Sequence, residues 1–163
     1  MKQWKFSGKL FMITCTLVLL ALGSLAQVNR GQFYKAMASA SVEEVDQQIA
    51  VVRQSAGADK DAYEGALLMK KADLLKAKKD KLKVFKEGRE KLEKMIAASS
   101  KNAEFRFLRL QIQENAPKIL GYKKNLDDDK SIILVSYKNL SEDLRQAILD
   151  YSKQSAILKP ADL

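Results

Sequence analysis

The stretch Ala62-Tyr63-Glu64-Gly65-Ala66-Leu67-Leu68-Met69-Lys70-Lys71-Ala72-Asp73-Leu74-Leu75 decides the fold class. At 100° per residue its apolar positions, among them Ala62, Ala66, Leu67, Leu68, Met69 and Ala72, cover most of a helix's circumference. A helix apolar nearly all round must be flanked on two sides, so this segment reads as the central helix of an all-α domain. It starts at Asp59 or Asp61 and runs to about Lys76.

Upstream, Ser41-Val42-Glu43-Glu44 is a capping box, followed by Val45, Ile49 and Val52 at helical spacing and by Gly57 as a stop. Downstream, Leu82, Val84, Phe85, Gly88, Leu92, Met95 and Ile96 fall on one arc of a helix from about Asp80 to Ala98. Glycine inside a helix costs about 1 kcal/mol relative to alanine, so Gly65 and Gly88 are expected to mark close backbone approach.

Residues 104–113 alternate like a strand (Phe105/Phe107, Leu108/Leu110/Ile112), yet Phe105, Leu108 and Ile112 also fit a helix. Helix is favoured, because an isolated strand has nothing to pair with, and Ala116-Pro117 ends it. Ile132-Ile133-Leu134-Val135 is strand-like by composition. The three acids Asp127, Asp128 and Asp129 before it suit a helix start, so it reads as a buried helix to Leu140. Ser141 opens a last helix carrying Leu144, Ala147, Ile148 and Tyr151. The expectation is about six helices, in a bundle or a short repeat-like superhelix.

The whole chain has 163 residues, 29 Lys+Arg against 20 Asp+Glu, no histidine and one cysteine. It is 47% hydrophobic and 30% charged, too apolar for a disordered chain and too charged for a polytopic membrane protein. Without histidine there is no imidazole base, proton shuttle or His-ligated metal. Lys2, Lys5 and Lys9 precede an uncharged, mostly apolar run from Leu10 to Leu22, and Gly23-Ser24-Leu25-Ala26 follows. This pattern reads as a secretory signal peptide over residues 1–26 cut after Ala26, the alternative being an uncleaved anchor. Cys15 would leave with it, so that residues 27–163 form one cysteine-free domain, periplasmic or extracellular.

From Phe85 to Glu104 the chain reads Phe85-x2-Gly88-x3-Leu92-x3-Ile96-x5-Asn102-Ala103-Glu104. This spacing resembles the second helix of a tetratricopeptide repeat entering the next repeat, with Ser99-Ser100-Lys101 where the family places a proline. Residues 62–71 and 102–117 also resemble small exported bacterial proteins of unknown function. The repeat resemblance implies protein–protein interaction at fold level, and the second adds no activity.

Residues 70–94 hold eleven basic and five acidic side chains, the entire basic excess of residues 27–163. Five i, i+4 pairs (Lys83–Glu87, Lys86–Glu90, Arg89–Glu93, Glu87–Lys91 and Glu90–Lys94) are expected to neutralise the helix face itself. That leaves Lys76, Lys78, Lys79 and Lys81, against Asp80 alone, as a candidate polyanion or anionic-membrane site at the turn between helices. No aromatic residue is interleaved there, so sequence-specific nucleic-acid binding is not expected.

Arg106, Arg109 and Gln113 form a polar stripe between two apolar faces. A trapped stripe must be paired: either with a small anion held by both guanidiniums, or, as favoured, with Glu104, Asp127, Asp128 or Asp129. Asp127–Asp129 lack the alternating spacing and turn glycine of a calcium loop, so no metal is expected. Tyr63, Tyr122, Tyr137 and Tyr151 read as core or rim aromatics. There is no phosphate loop, serine elbow or Ser-x-x-Lys signature. No cofactor is expected. The reading is a non-enzymatic interaction or structural module of the cell envelope, its partner another envelope protein, with a polyanion or membrane-surface binder as the alternative.

Overall fold

The computed structural model describes residues 27–163; the leader expected over residues 1–26, with Cys15, lies outside the described residues. Seven α-helices follow in order: α1 Arg30–Ala38, α2 Val42–Gln54, α3 Lys60–Leu74, α4 Lys78–Ala98, α5 Ala103–Asn115, α6 Leu126–Ser136 and α7 Glu142–Ser152. Short 3₁₀ turns sit at Lys118–Leu120, Tyr137–Asn139 and Pro160–Asp162.

The central helix is α3. Every residue from Ala62 to Met69 is buried, and α3 packs against α1, α2, α4 and α5. Its one buried acid, Glu64, is held by Arg53 of α2 at 2.7 Å and Lys91 of α4 at 3.3 Å. Where α3 crosses α4, Gly65 faces Gly88. A Cβ on Gly65 would stand 2.6 Å from the Gly88 carbonyl oxygen, so only glycine admits this approach.

The strand-like alternation of 104–113 has a helical cause. Phe105 and Leu108 of α5 enter a core shared with α1–α4, while Phe107 and Leu110 enter a second core with α6, α7 and Leu158. A helix buried on two opposite faces carries apolar residues at both helical and alternating spacing.

The seventh helix, α1, was not among those read from the sequence. Asn29 caps it through the Gln32 N–H, and Phe33, Ala36 and Met37 are buried at i, i+3, i+4. It spans both cores: Phe33 stacks edge-on with Tyr63 at 4.8 Å, and Tyr34 meets Phe107 at 5.8 Å. Arg30 and the Tyr34 hydroxyl both donate to Glu104 at the start of α5, a carboxylate only 6% exposed.

Several local expectations need correction. Ser41 accepts from the Glu44 N–H, but its hydroxyl donates to Glu43, so the capping box is only half formed. None of the five expected i, i+4 pairs on α4 closes among the described residues. Lys91 turns to Asp61 and Glu64, and Glu93 turns to Arg109, because those inward partners are less screened by water. The segment read as a buried helix to Leu140 is α6 followed by a 3₁₀ turn. Ile133 is buried but Val135 is 86% exposed, since a short outer helix buries one face only. Ser141 is the α7 N-cap residue without a side-chain cap bond.

Candidate functional site

The described residues form a groove of about 1540 Å³. Alternate helices build it: α1, α3, α5 and α7 supply side chains, whereas α2 and α6 supply none. The first two turns of α4 and the corner Pro117–Leu120 complete its rim. Met37, Met69, Phe85, Ile112 and Ala147 give it an apolar lining. Two large apolar side chains at the rim are open to solvent, Leu82 at 45% and Ile119 at 94% exposure. Packing holds the corner in place: Phe85 meets Tyr122 edge-on at 5.6 Å, and Arg89 lies 4.9 Å over the Tyr122 ring.

The expected lysine turn is reshaped. The link between α3 and α4 is only Leu75–Ala77, so Lys78, Lys79 and Lys81 stand on the first turn of α4. That helix start is locally unfavourable. Its N-cap is Ala77 without a side-chain cap bond, and three cations meet the positive end of the helix dipole with Asp80 as the only acid. Lys76, Lys78 and Lys81 line the groove; Lys79 is exposed but does not.

Two lysines join them that sequence reasoning missed, Lys35 of α1 and Lys70 of α3, far apart in the chain and brought together only by packing. Among the described residues Lys35, Lys70, Lys76 and Lys78 have no ion-pair partner. Lys81 donates to the Asp73 carbonyl at 3.0 Å. On the α7 side the groove carries Asp143 and Asp150, the latter paired with Lys153 at 2.7 Å. Between the two sides, Gln111 has a buried side-chain oxygen without a donor.

The stripe Arg106, Arg109 and Gln113 lies elsewhere, facing α6. Asp129, fully buried, takes two hydrogen bonds from Arg109, at 2.8 and 2.6 Å, and one from Arg106 at 3.0 Å. Arg109 also reaches Glu93 at 2.9 Å, and Glu93 accepts from the Tyr122 hydroxyl at 2.6 Å. Burial works against the charge on Arg109, yet Asp129 and Glu93 raise its pKa above the ordinary guanidinium value. Gln113 donates to the Asn125 side chain and accepts from its backbone N–H. The donors that an anion would need are thus spent on tying α4, α5 and α6 together. Asp127 and Asp128 are exposed while Asp129 points inward, and no three metal-ligating side chains gather among the described residues.

A second built carboxylate borders the groove. Glu114 accepts from Tyr151, Ser155 and the Ala156 N–H, fastening the C-terminal segment to α5. Burial pushes its pKa up, but bonds from Ser155 and Tyr151 and the backbone N–H groups bring it below the ordinary value. Among the described residues no helix is long and apolar enough to cross a membrane. Compared with known proteins, the chain matches no family model, no curated protein and no solved structure.

Proposed function

We propose that this protein is a non-enzymatic interaction module that holds a segment of another protein in the groove formed by α1, α3, α5 and α7. The observation that carries the reading is the groove itself: an apolar lining framed by rigid helices, with Leu82 and Ile119 exposed at its rim. Its volume exceeds the roughly 300–1,000 Å³ usual for small-molecule sites, which favours a macromolecular occupant. Exposed apolar side chains beside a polar rim are the usual composition of a docking surface. The repeat-like spacing from Phe85 to Glu104 agrees with such a role, as would export to the cell envelope by the leader expected over residues 1–26.

A photo-crosslinking residue placed at Ile119, in protein tagged at Leu163 and expressed in its native cell, tests the reading. The expected result is one protein crosslinked in near-stoichiometric amount from Ile119. Val135 is equally apolar and exposed but outside the groove, and should give none. Equal crosslinking from both positions, or none from either, rejects the groove as the interaction site.

The second reading is a polyanion or anionic-membrane surface contacted through Lys76, Lys78, Lys79 and Lys81. The unpaired state of Lys76 and Lys78 favours it. It predicts binding that falls steeply with salt. Conversion of the four lysines to glutamine, with binding to anionic vesicles or heparin unchanged, removes it.

A further inference from the structure

We infer that the groove's occupant is an amphipathic helix of a partner protein, nearly four turns long, whose polar side carries acidic residues that meet Lys35, Lys70, Lys76, Lys78 and Lys81. This rests on the interaction reading above and specifies its partner. Charge complementarity carries the argument. Five lysines from α1, α3, the α3–α4 link and α4 converge on one concave lining, and four of them lack any acidic partner among the described residues. Asp73 lies beside them on α3, while Glu114, Asp143 and Asp150 line the same groove from α5 and α7; Glu114 is already bonded to Tyr151 and Ser155, and Asp150 to Lys153. The four unpaired lysines repel one another, and an acidic partner relieves that repulsion on binding.

The form of the occupant follows from the walls. No strand occurs among the described residues, so no sheet edge offers backbone hydrogen bonds to an extended chain. Side chains projecting from helices instead suit a helix laid in a groove by its apolar face. A cylinder about 10 Å across and about 20 Å long fills the groove volume, close to thirteen residues of α-helix.

The opposite side separates a polypeptide from a membrane. Asp143 and Asp150 border the same groove on α7, and both would face an anionic bilayer unfavourably. The lysines also line a concavity, whereas a bilayer surface needs a flat or convex face. A discrete helix can place acids towards α4 and neutral or basic residues towards α7.

The test is a displayed library of random 16-residue peptides, selected on protein recovered from cells expressing the full chain. Two variants are measured beside it. Ala38→Trp fills the groove from an exposed position of α1, and Lys76→Glu/Lys78→Glu reverses the charge of its lysine side. An acid in the first turn of α4 suits the helix dipole, so the reversed protein keeps its helical spectrum and melts no lower than the parent.

The expected result is enrichment of peptides with apolar residues at helical spacing and excess acid, lost on Ala38→Trp and weakened at least tenfold by the reversal. Peptides lost on Ala38→Trp but without acid excess, and indifferent to the reversal, overturn the acidic occupant and leave the groove reading standing. Peptides indifferent to Ala38→Trp, or no enrichment, overturn both. Retention on vesicles rich in phosphatidylglycerol, abolished by the reversal while no peptide is held, also overturns the inference and assigns the lysines to a membrane surface.

Discussion

Replacing Gly65 or Gly88 by alanine should destabilise the protein, against the usual sign of that change. Helix propensity alone makes Gly→Ala stabilising by about 1 kcal/mol inside a helix. Here a Cβ on Gly65 would lie 2.6 Å from the Gly88 carbonyl oxygen and 2.8 Å from the Leu92 nitrogen, and one on Gly88 would lie 2.5 Å from the Gly65 carbonyl oxygen. The obstacles are backbone, so no rotamer change relieves them. The helices must separate by about 0.7 Å, which forfeits a quarter to a half of each dispersion contact along the crossing. Overpacking costs about 1–3 kcal/mol, and an obstacle of backbone places these sites at the upper end. Net of propensity, each variant should lose about 2 kcal/mol, or about 6–8 °C in Tm for a domain of this size.

Urea unfolding followed by circular dichroism measures the loss, with an unchanged m-value as the sign that the folded and unfolded ensembles are comparable. Gly57 is the control: its Cβ would meet nothing nearer than 3.9 Å, so Gly57→Ala should be neutral or gain up to about 1 kcal/mol. The double variant Gly65→Ala/Gly88→Ala should cost less than the sum, since the first Cβ already parts the helices for the second. A raised urea midpoint for either single variant would refute the close crossing.

Asp129→Asn should cost about 3–5 kcal/mol in urea unfolding, because Arg106 and Arg109 lose their shared carboxylate inside the fold. Replacing Arg109 and Asp129 together by Met and Leu should recover part of that loss. Gln48 is 7% exposed with an unpartnered side-chain nitrogen, so Gln48→Met should raise stability by about 1 kcal/mol, read as a higher urea midpoint. Glu114 has a lowered pKa in the fold, so its contribution is present above the unfolded value of 4.5 and is lost as pH falls through the folded one. Glu114→Gln should therefore lower stability at pH 7 and flatten its decline below pH 4.5, measured as Tm against pH. Lys78→Glu should gain about 0.3–1 kcal/mol at low salt from the dipole of α4, and the gain should shrink in high salt.

How far the sequence disclosed this architecture depended on whether the physics was local. Gly65 and Gly88 were legible because a glycine retained inside a helix needs a reason, and their mutual contact supplies it. The all-round apolar run of α3 marked its central place for the same kind of reason. The partner shared by Arg106 and Arg109 lay among the four acids considered, and the structure selects Asp129 because it alone of the three acids on α6 points inward; Glu93, the second partner of Arg109, was not among them. By contrast α1 was invisible as a helix. It is nine residues long with no acid in its first turn, and its hold comes from Glu104 and Tyr63, both distant in the chain. The groove was equally hidden, since its lysines at 35 and 70 belong to no common segment. The i, i+4 pattern on α4 misled because equally good partners, Asp61 and Arg109, waited on neighbouring helices.

The dependence of the groove on α1 links the two halves of this picture. An isolated nine-residue helix is marginal in water, so α1 exists only because tertiary contacts hold it. Those contacts run to α3 through Phe33 and Tyr63, to α5 through Arg30, Tyr34 and Glu104, and to α7 by direct packing. Without α1, the α3 and α7 sides of the groove have no helix between them along that edge, and Lys35, Met37 and Ala38 leave its lining. The buried Glu104 network, through Tyr34 beside Lys35, therefore decides whether the lysines face a common space. Loosening it, as by Glu104→Gln, opens the groove before it unfolds α3 and α4, whose crossing at Gly65 and Gly88 does not involve α1. Hydrogen exchange distinguishes the two events: amides of α1 should lose protection in that variant while those of α3 keep theirs.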